Sequence, residues 1–273
     1  MKFSVLMSVY NKENPKFFDL SIKSIWDDQK LKPNQVVIVI DGIINKRLED
    51  VIDKWKKLIK SNMDVVRLIK NVGLGKALTH GLNKCKYIYV ARMDTDDISH
   101  PDRFLKQMKY LKNNPDICLL GSNVYEFDEN GIYSKKIVPY THDNICKYIK
   151  YRNPFNHMSV IFKKDQIIKI GSYPHFIGYE DYCLWSKVIN NKFRTYNLKD
   201  CLVSVRGGNQ MLKKRSNYFF FTQEIRFQNY LFKNGSISFT EFIRNLILRS
   251  IPRLLPLKLL KTIYLIFLRK NES

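Results

Sequence analysis

The stretch Tyr87-Ile-Tyr-Val-Ala-Arg-Met-Asp94-Thr95-Asp96-Asp97-Ile98 is an apolar run of β-forming residues that stops at three carboxylates within four positions. A short strand buried on both faces reads as such a continuous run. This one delivers Asp94, Asp96 and Asp97 to its carboxyl end. Carboxylates set so close repel one another unless a cation or a network of donors offsets the charge. Hard divalent cations, Mn²⁺ or Mg²⁺, take carboxylate oxygens and then recruit phosphate oxygens. Asp94-Thr95-Asp96 is therefore a candidate site for a metal and a diphosphate. The plainer reading of the same residues is an acidic turn, one Asp capping the helix that follows.

Outward from this stretch the chain alternates strands and helices. Residues 3–10 and Gln35-Val-Val-Ile-Val-Ile-Asp41-Gly42 read as buried strands, the second closing on an Asp-Gly turn. Asn14 followed by Pro15 predicts a helix start, with Phe18, Ile22, Ile25 and Trp26 at helical spacing. A helix over 46–61, a strand over 64–69, and Asn71-Val-Gly-Leu-Gly75-Lys76 opening a further helix come next. That period means βαβ units and a mostly parallel sheet covered on both faces, in which ligands sit outside the carboxyl ends of the strands. Asn11, Asp41, Asn71 and Asp94 to Asp97 all fall at strand ends, hence on one edge.

The middle is less regular. Residues 117–127 read as a strand ending in a turn at 128–131, and Asn153-Pro-Phe-Asn-His157 precedes another strand. Gly178-Tyr-Glu180-Asp181 begins a helix whose phase places Asp181 on the stripe of Leu184, Trp185 and Val188, and Glu180 with Lys187. Asp181 is expected to point inward and Glu180 outward. An inward carboxylate at a helix start is either held by first-turn N–H groups or placed for chemistry.

A net charge of +22 over 273 residues points to anionic partners: nucleic acid, an acidic membrane surface or a phosphorylated substrate. Residues 211–273 carry 12 Lys and Arg against 3 acidic residues, in three stretches that mix cations with aliphatic and aromatic residues. These read either as helices packed on the domain or as an interfacial surface meeting anionic lipid. Five cysteines with no C-x-x-C pair argue against a zinc site or disulfide framework, and read as reduced thiols of a cytosolic protein. The first residues run straight into a strand pattern without a cleavage region, and no run reaches the ~18 apolar residues of a membrane span.

Ser8-Val-Tyr-Asn11, the strand ending at Asp41-Gly42, Asn71-Val-Gly-Leu-Gly-Lys-Ala77, Ala91-Arg-Met-Asp-Thr-Asp-Asp97, Pro101-Asp-Arg103 and Gly178-Tyr-Glu-Asp-Tyr182 occur in the order and spacing of family 2 glycosyltransferases. The chain resembles that family over roughly residues 3–205, and most of all the bacterial enzymes that extend lipid-linked O-antigen or capsule repeats. The resemblance implies a GT-A fold over residues 1–210, with 1–115 as a nucleotide-sugar half and 116–210 as an acceptor half; residues 211–273, beyond it, read as a basic amphipathic helical region expected to associate with a membrane. It implies an inverting, metal-dependent transfer of a hexose, UDP-Glc or UDP-Gal favoured, to a GlcNAc or GalNAc on undecaprenyl diphosphate at the cytoplasmic face of the inner membrane. Ser8, Tyr10, Asn11 and Glu13 are expected to line the uridine pocket, and Asp41 to accept from uracil or ribose. Asn71, Lys76 and Asp97 are expected near the nucleotide. Asp94 should face ribose and metal, Asp96 should coordinate Mn²⁺ or Mg²⁺, and Asp181 should be the catalytic base.

His157 and Glu180 are weaker acceptor-site candidates, and Arg206, Lys213, Lys214 and Arg215 are candidates for the diphosphate. A histidine beside a strand is more often packed than functional. Many relatives carry two acids and a hydroxyl residue at the second strand end, where this chain has Ile40-Asp41-Gly42-Ile43. The rival readings are a nucleic-acid-binding protein, suggested by charge alone, and a nucleotidyltransferase on a similar fold. Against the first, the cations gather in apolar helices and no motif of a nucleic-acid-binding fold appears. Against the second, Ser8-Val-Tyr-Asn-Lys-Glu is not a Gly-rich, basic signature after the first strand.

Overall fold

In a computed structural model, which describes residues 1–207 and 218–250, β1 (Phe3–Val9) lies parallel to β2 (Gln35–Ile40), with Ser4 opposite Gln35 and Val9 opposite Ile40. Both strands are buried along nearly their whole length, which is why neither alternates polar with apolar residues. β3 (Met63–Arg67) and β4 (Tyr89–Arg92) extend the parallel sheet in the order β3-β2-β1-β4. The crossovers are α1 (Pro15–Trp26), α2 (Lys46–Ile59) and α3 (Leu74–Lys84). Asn14 caps α1 by accepting from Lys16 N at 2.9 Å, and Pro15 takes the first helical position, where a missing N–H costs nothing. Asn45 caps α2 by accepting from Leu48 N at 3.2 Å.

The second half adds β5 (Ile98–Ser99), α4 (Arg103–Asn113), β6 (Ile117–Asp128), β7 (Gly131–Lys136), α5 (His142–Tyr148), β8 (Ile161–Lys163), α6 (Lys164–Lys169), α7 (Glu180–Asn190) and β9 (Arg194–Arg206). The sheet continues β4-β8-β6-β9-β5, with β7 on β6. β8 runs antiparallel to both its neighbours, so β6 and its parallel partner β9 point the same way as the first four strands. Most laddered residues belong to parallel pairs. The carboxyl ends of β1, β2, β4 and β9 thus share one edge. β7, α5, α6 and β9 carry no clear periodic signal in the sequence. Beneath the edge, Phe3 and Phe104 rings pack at 5.0 Å in a core that also takes Val5, Met7, Ile38 and Trp55. Cys85, Cys118 and Cys183 are buried, and all five thiols are unbonded to one another.

The chain divides into two compact units, Met1–Arg206 and Gly207–Ser273. The described part of the second holds α8 (Tyr218–Lys233), α9 (Phe239–Asn245) and a π-helical turn, Leu246–Ser250. Ser238 and Glu241 form a reciprocal capping box at the start of α9. Inside this unit the buried Glu224 accepts from Arg249 Nε and from Gln228 Nε2, each at 2.8 Å, and Asn245 donates to Gln228 at 3.0 Å. Phe239, Ile243 and Ile247, one turn apart in succession, remain exposed. Lys213, Lys214, Arg215 and the last of the three basic stretches, within 251–273, lie outside the described residues.

Candidate active site

The acidic cluster sits where the sequence put it, at the end of β4, but it is built on cations. Arg92, inside β4, is 1% exposed and ion-pairs with Asp94. Its Nε is buried without a hydrogen-bond partner among the described residues. The neighbouring charges of Asp94, Tyr173 and Asp97 keep Arg92 protonated against the pull of burial. Below it Arg103, fully buried, donates to the Arg92 carbonyl at 2.7 Å and to Gln107 at 3.2 Å. Ser21 on α1 holds the Asp94 carbonyl at 2.6 Å.

The carboxylates still carry more negative charge than these cations offset. Burial first, then the charges of Asp94 and Asp96, push the Asp97 carboxyl well above the usual carboxylate range. Asp96 is raised by burial and by Asp94. Glu13, after β1, rises to about 7 through burial and the nearby Asp96 and Asp94, opposed by its hydrogen bond with Thr95. Among the described residues no three His, Cys, Asp or Glu side chains converge as a ready-made metal cage. A hard cation that takes one or two carboxylates and completes its shell with water and phosphate does not need one. Asp94 and Asp96 fit that role chemically.

Asp97 itself, 2% exposed, accepts from Arg206 N at 2.8 Å. It anchors the end of β9 through this bond. The anchoring brings Arg206 to the site. Its guanidinium lies over the Phe17 ring at 3.7 Å and the Phe127 ring at 4.5 Å, and Nε donates to the Asp96 carbonyl at 3.2 Å. Two rings thus hold a cation beside the acids.

Asp41, at the end of β2, is tied to the loop that follows β3. It is 4% exposed, and its two oxygens accept from Val72 N at 2.7 Å and Gly73 N at 3.0 Å, while Asn71 donates to its carbonyl at 3.3 Å. It fixes the loop that opens α3. Ser8 is half-buried; Tyr10, Asn11, Asn71 and Lys76 are exposed around the same edge. Asn11 accepts from Asn45 Nδ2 at 3.2 Å through both its carbonyl and its side chain.

On the other side, α7 carries Asp181. Asn153 Nδ2 donates to Asp181 Oδ2 at 2.6 Å and Tyr182 N to Oδ1 at 2.7 Å. Glu180 does not face outward as its stripe implied. A Cβ at Gly75 on α3 would come within 2.9 Å of Glu180 Cγ and of the Pro174 carbonyl, so α3 and the start of α7 touch there. Burial raises the Glu180 carboxyl to about 7. His157 Nε2 meets the Tyr173 hydroxyl at 3.0 Å and its ring packs on Tyr173 and Trp185. Burial and the charge of Arg92 hold it neutral, far below the usual imidazole range.

Tyr173 joins the two sides. Burial drives its hydroxyl far above the ordinary phenol range; Arg92 opposes this, and the charges of Asp181 and Asp94 both add to it. The two carboxylates, 87 positions apart in sequence, therefore act on one hydroxyl. Sequence reasoning missed Tyr173, Asn153, Thr95 and Arg92. Only Arg92 left a signal, as a lone charge inside an apolar strand, which must be paired to be buried.

The profile described as glycosyl transferase family 2 matches residues 4–170. The amylovoran biosynthesis glycosyltransferase AmsE of Erwinia amylovora is 40% identical over 96% of this chain and 97% of its own length. The UDP-Gal:alpha-D-GlcNAc-diphosphoundecaprenol beta-1,3-galactosyltransferase of Escherichia coli is 39% identical, covering 93% of this chain and 92% of that protein. S. aureus TarS 1-349 in complex with UDP-GlcNAc superposes with a TM-score of 0.67 at 19% identity, over 99% of this chain and 77% of that one. The mannosyltransferase PcManGT of Pyrobaculum calidifontis, in complex with GDP-Man and Mn²⁺, gives 0.61 at 15% identity, over 98% and 81%. At those identities the likeness is one of fold.

Proposed function

Because the chain belongs to glycosyl transferase family 2 and is a glycosyltransferase with a GT-A fold, we propose that it moves a hexose from a UDP-sugar to a sugar on undecaprenyl diphosphate, inverting the anomeric centre. UDP-Gal and UDP-Glc are the proposed donors; the name of the E. coli relative supports the first, as well as the class of acceptor. The observation that carries the reading is a fixed carboxylate at two places: Asp94, ion-paired to the buried Arg92 at the end of β4, and Asp181, held by Asn153 at the start of α7 where that helix touches α3. Neither a nucleic-acid-binding role nor nucleotidyl transfer is needed to explain it.

Asp94 and Asp96 would hold Mn²⁺ or Mg²⁺, which when bound supplies positive charge to the departing diphosphate. Arg206, clamped between Phe17 and Phe127, adds a fixed cation on the same side. Ser8, Tyr10, Asn11, Glu13, Asn71 and Lys76 border the space for the uridine end. Asp181, held by Asn153, takes the acceptor hydroxyl proton as its oxygen forms the bond to the anomeric carbon. The bond from that carbon to the phosphate oxygen breaks on the opposite face and its electrons leave with UDP. One displacement inverts the centre and needs no covalent intermediate.

Among the described residues no helix is long and apolar enough to cross a membrane. The exposed line Phe239, Ile243 and Ile247, with Arg244 beside it, supports peripheral docking on an anionic surface, proposed here as the cytoplasmic face of the inner membrane. The test of the reaction is Asp181→Asn, assayed with UDP-Gal or UDP-Glc and a synthetic GlcNAc-diphosphate-lipid, with and without Mn²⁺. Turnover should fall by about 10² or more with UDP affinity unchanged. Near-normal turnover would rule out the base.

A further inference from the structure

We propose that Asn153 is a positioning residue for the catalytic carboxylate, fixing which edge of Asp181 meets the acceptor hydroxyl. This rests on the reading of Asp181 as the base.

The segment Asn153-Pro154-Phe155-Asn156-His157 runs beside α7 and meets it through Asn153, Phe155 and His157. Asn153 Nδ2 donates to Asp181 Oδ2 at 2.6 Å, while its own Oδ1 accepts from Phe155 N at 3.2 Å. That second bond closes a turn of the Asx type, and Pro154 restricts the residue before it to extended backbone. The amide therefore has little rotational freedom. Phe155 meets the Trp185 ring edge-on at 5.5 Å, and His157 packs on the same ring at 6.0 Å. Asn156 Nδ2 ties the segment to the sheet through the Ser122 carbonyl at 2.9 Å. Trp185 lies one helical turn along α7 from Asp181, so the segment grips the helix at two points on one face.

A base must be held close to its productive geometry, and an ångström of misplacement costs about 10²-fold in rate. A hydrogen bond to one oxygen of a carboxylate also favours its ionised form. Glu180 and Cys183 on α7 and Tyr173 from the preceding loop, all acids, are among the titratable groups whose charge interacts with Asp181. Asn153 supplies a neutral donor against them.

The test uses the full chain with the donor and lipid-diphosphate acceptor that support turnover. Asn153→Ala should lower kcat about 10-fold or more and leave KM for the UDP-sugar within about 2-fold. Asn153→Asp keeps the size and the acceptor for Phe155 N, so it preserves the turn where Ala does not. It should move the acid limb of the kcat profile upward by about one pH unit or more, because two adjacent carboxylates share a proton. In the Asp181→Asn background, Asn153→Ala should cost nothing further. An unmoved acid limb in Asn153→Asp, or an equal loss from Asn153→Ala with and without Asp181, would overturn the positioning role and leave the base intact. Near-normal turnover of Asp181→Asn alone would instead remove the reading on which the role rests.

Discussion

Replacing Glu180 by Gln isolates the electrostatic character of the α3–α7 contact. In the folded chain burial lifts this carboxyl from its ordinary 4.5 to about 7. Between those two values the folded state binds more protons than the unfolded state, so stability falls as pH rises through that window and stays low above it. A displacement of that size corresponds to a ceiling of about 3 kcal/mol, and partial contact of the side chain with solvent brings the working figure to about 1–2 kcal/mol. Gln keeps the shape against Gly75 and cannot ionise. Urea unfolding at pH 5 and pH 8 should therefore show the variant gaining on the native chain by about 1–2 kcal/mol at the higher pH and matching it at the lower. Glu13, Asp96 and Asp97 shift in the same direction but are common to both chains, so they cancel in the difference. An offset between the two chains that is the same at both pH values would refute the burial argument.

Arg92→Met should destabilise the chain by about 3–5 kcal/mol by leaving Asp94 without its buried partner, and Asp94→Asn in the same chain should recover part of that, both read by thermal or denaturant unfolding. Asp41→Ala releases Val72 N and Gly73 N; KM for the UDP-sugar should rise several-fold with a smaller change in kcat, and an unchanged KM would show that the loop needs no such anchor. Phe239→Asp with Ile247→Asp should weaken co-sedimentation with anionic phosphatidylglycerol vesicles about 10-fold or more, since each side chain is worth about 1–3 kcal/mol when buried. Binding that ignores both the substitutions and the vesicle charge would exclude this surface.

The parallel half of the fold was legible because its signals are local. A strand covered on both faces must be apolar throughout, and Asn14-Pro15 and Asn45 cap whatever helix follows them. β9 was not legible. Its thirteen residues mix charged, polar and apolar side chains, and its strand character comes from pairing with β6 through a ladder containing register shifts. The acids at the strand ends could be placed on one edge from topology, but their roles could not. Asp41 and Asp97 also take up main-chain N–H groups far along the chain, Val72 and Gly73 for the one and Arg206 for the other, and no local pattern announces those bonds. Glu180 was misjudged because a stripe describes one helix alone, and what turns this residue inward is a glycine on another. Asp181 was legible, since its own helix face decides its direction, whereas its partner Asn153 lies 28 positions away and leaves no trace in the periodicity.

At Gly75 the helix leading from the Asp41-held loop rests directly on the stem of Glu180 and the carbonyl of Pro174. The width of the cleft is thereby gauged by main-chain thickness, the thinnest shim a polypeptide can offer. Graded replacement of that hydrogen by methyl, hydroxymethyl and isopropyl groups wedges the donor and acceptor walls apart in small steps. Residue 75 is thereby a dial on the spacing of α3 and the start of α7.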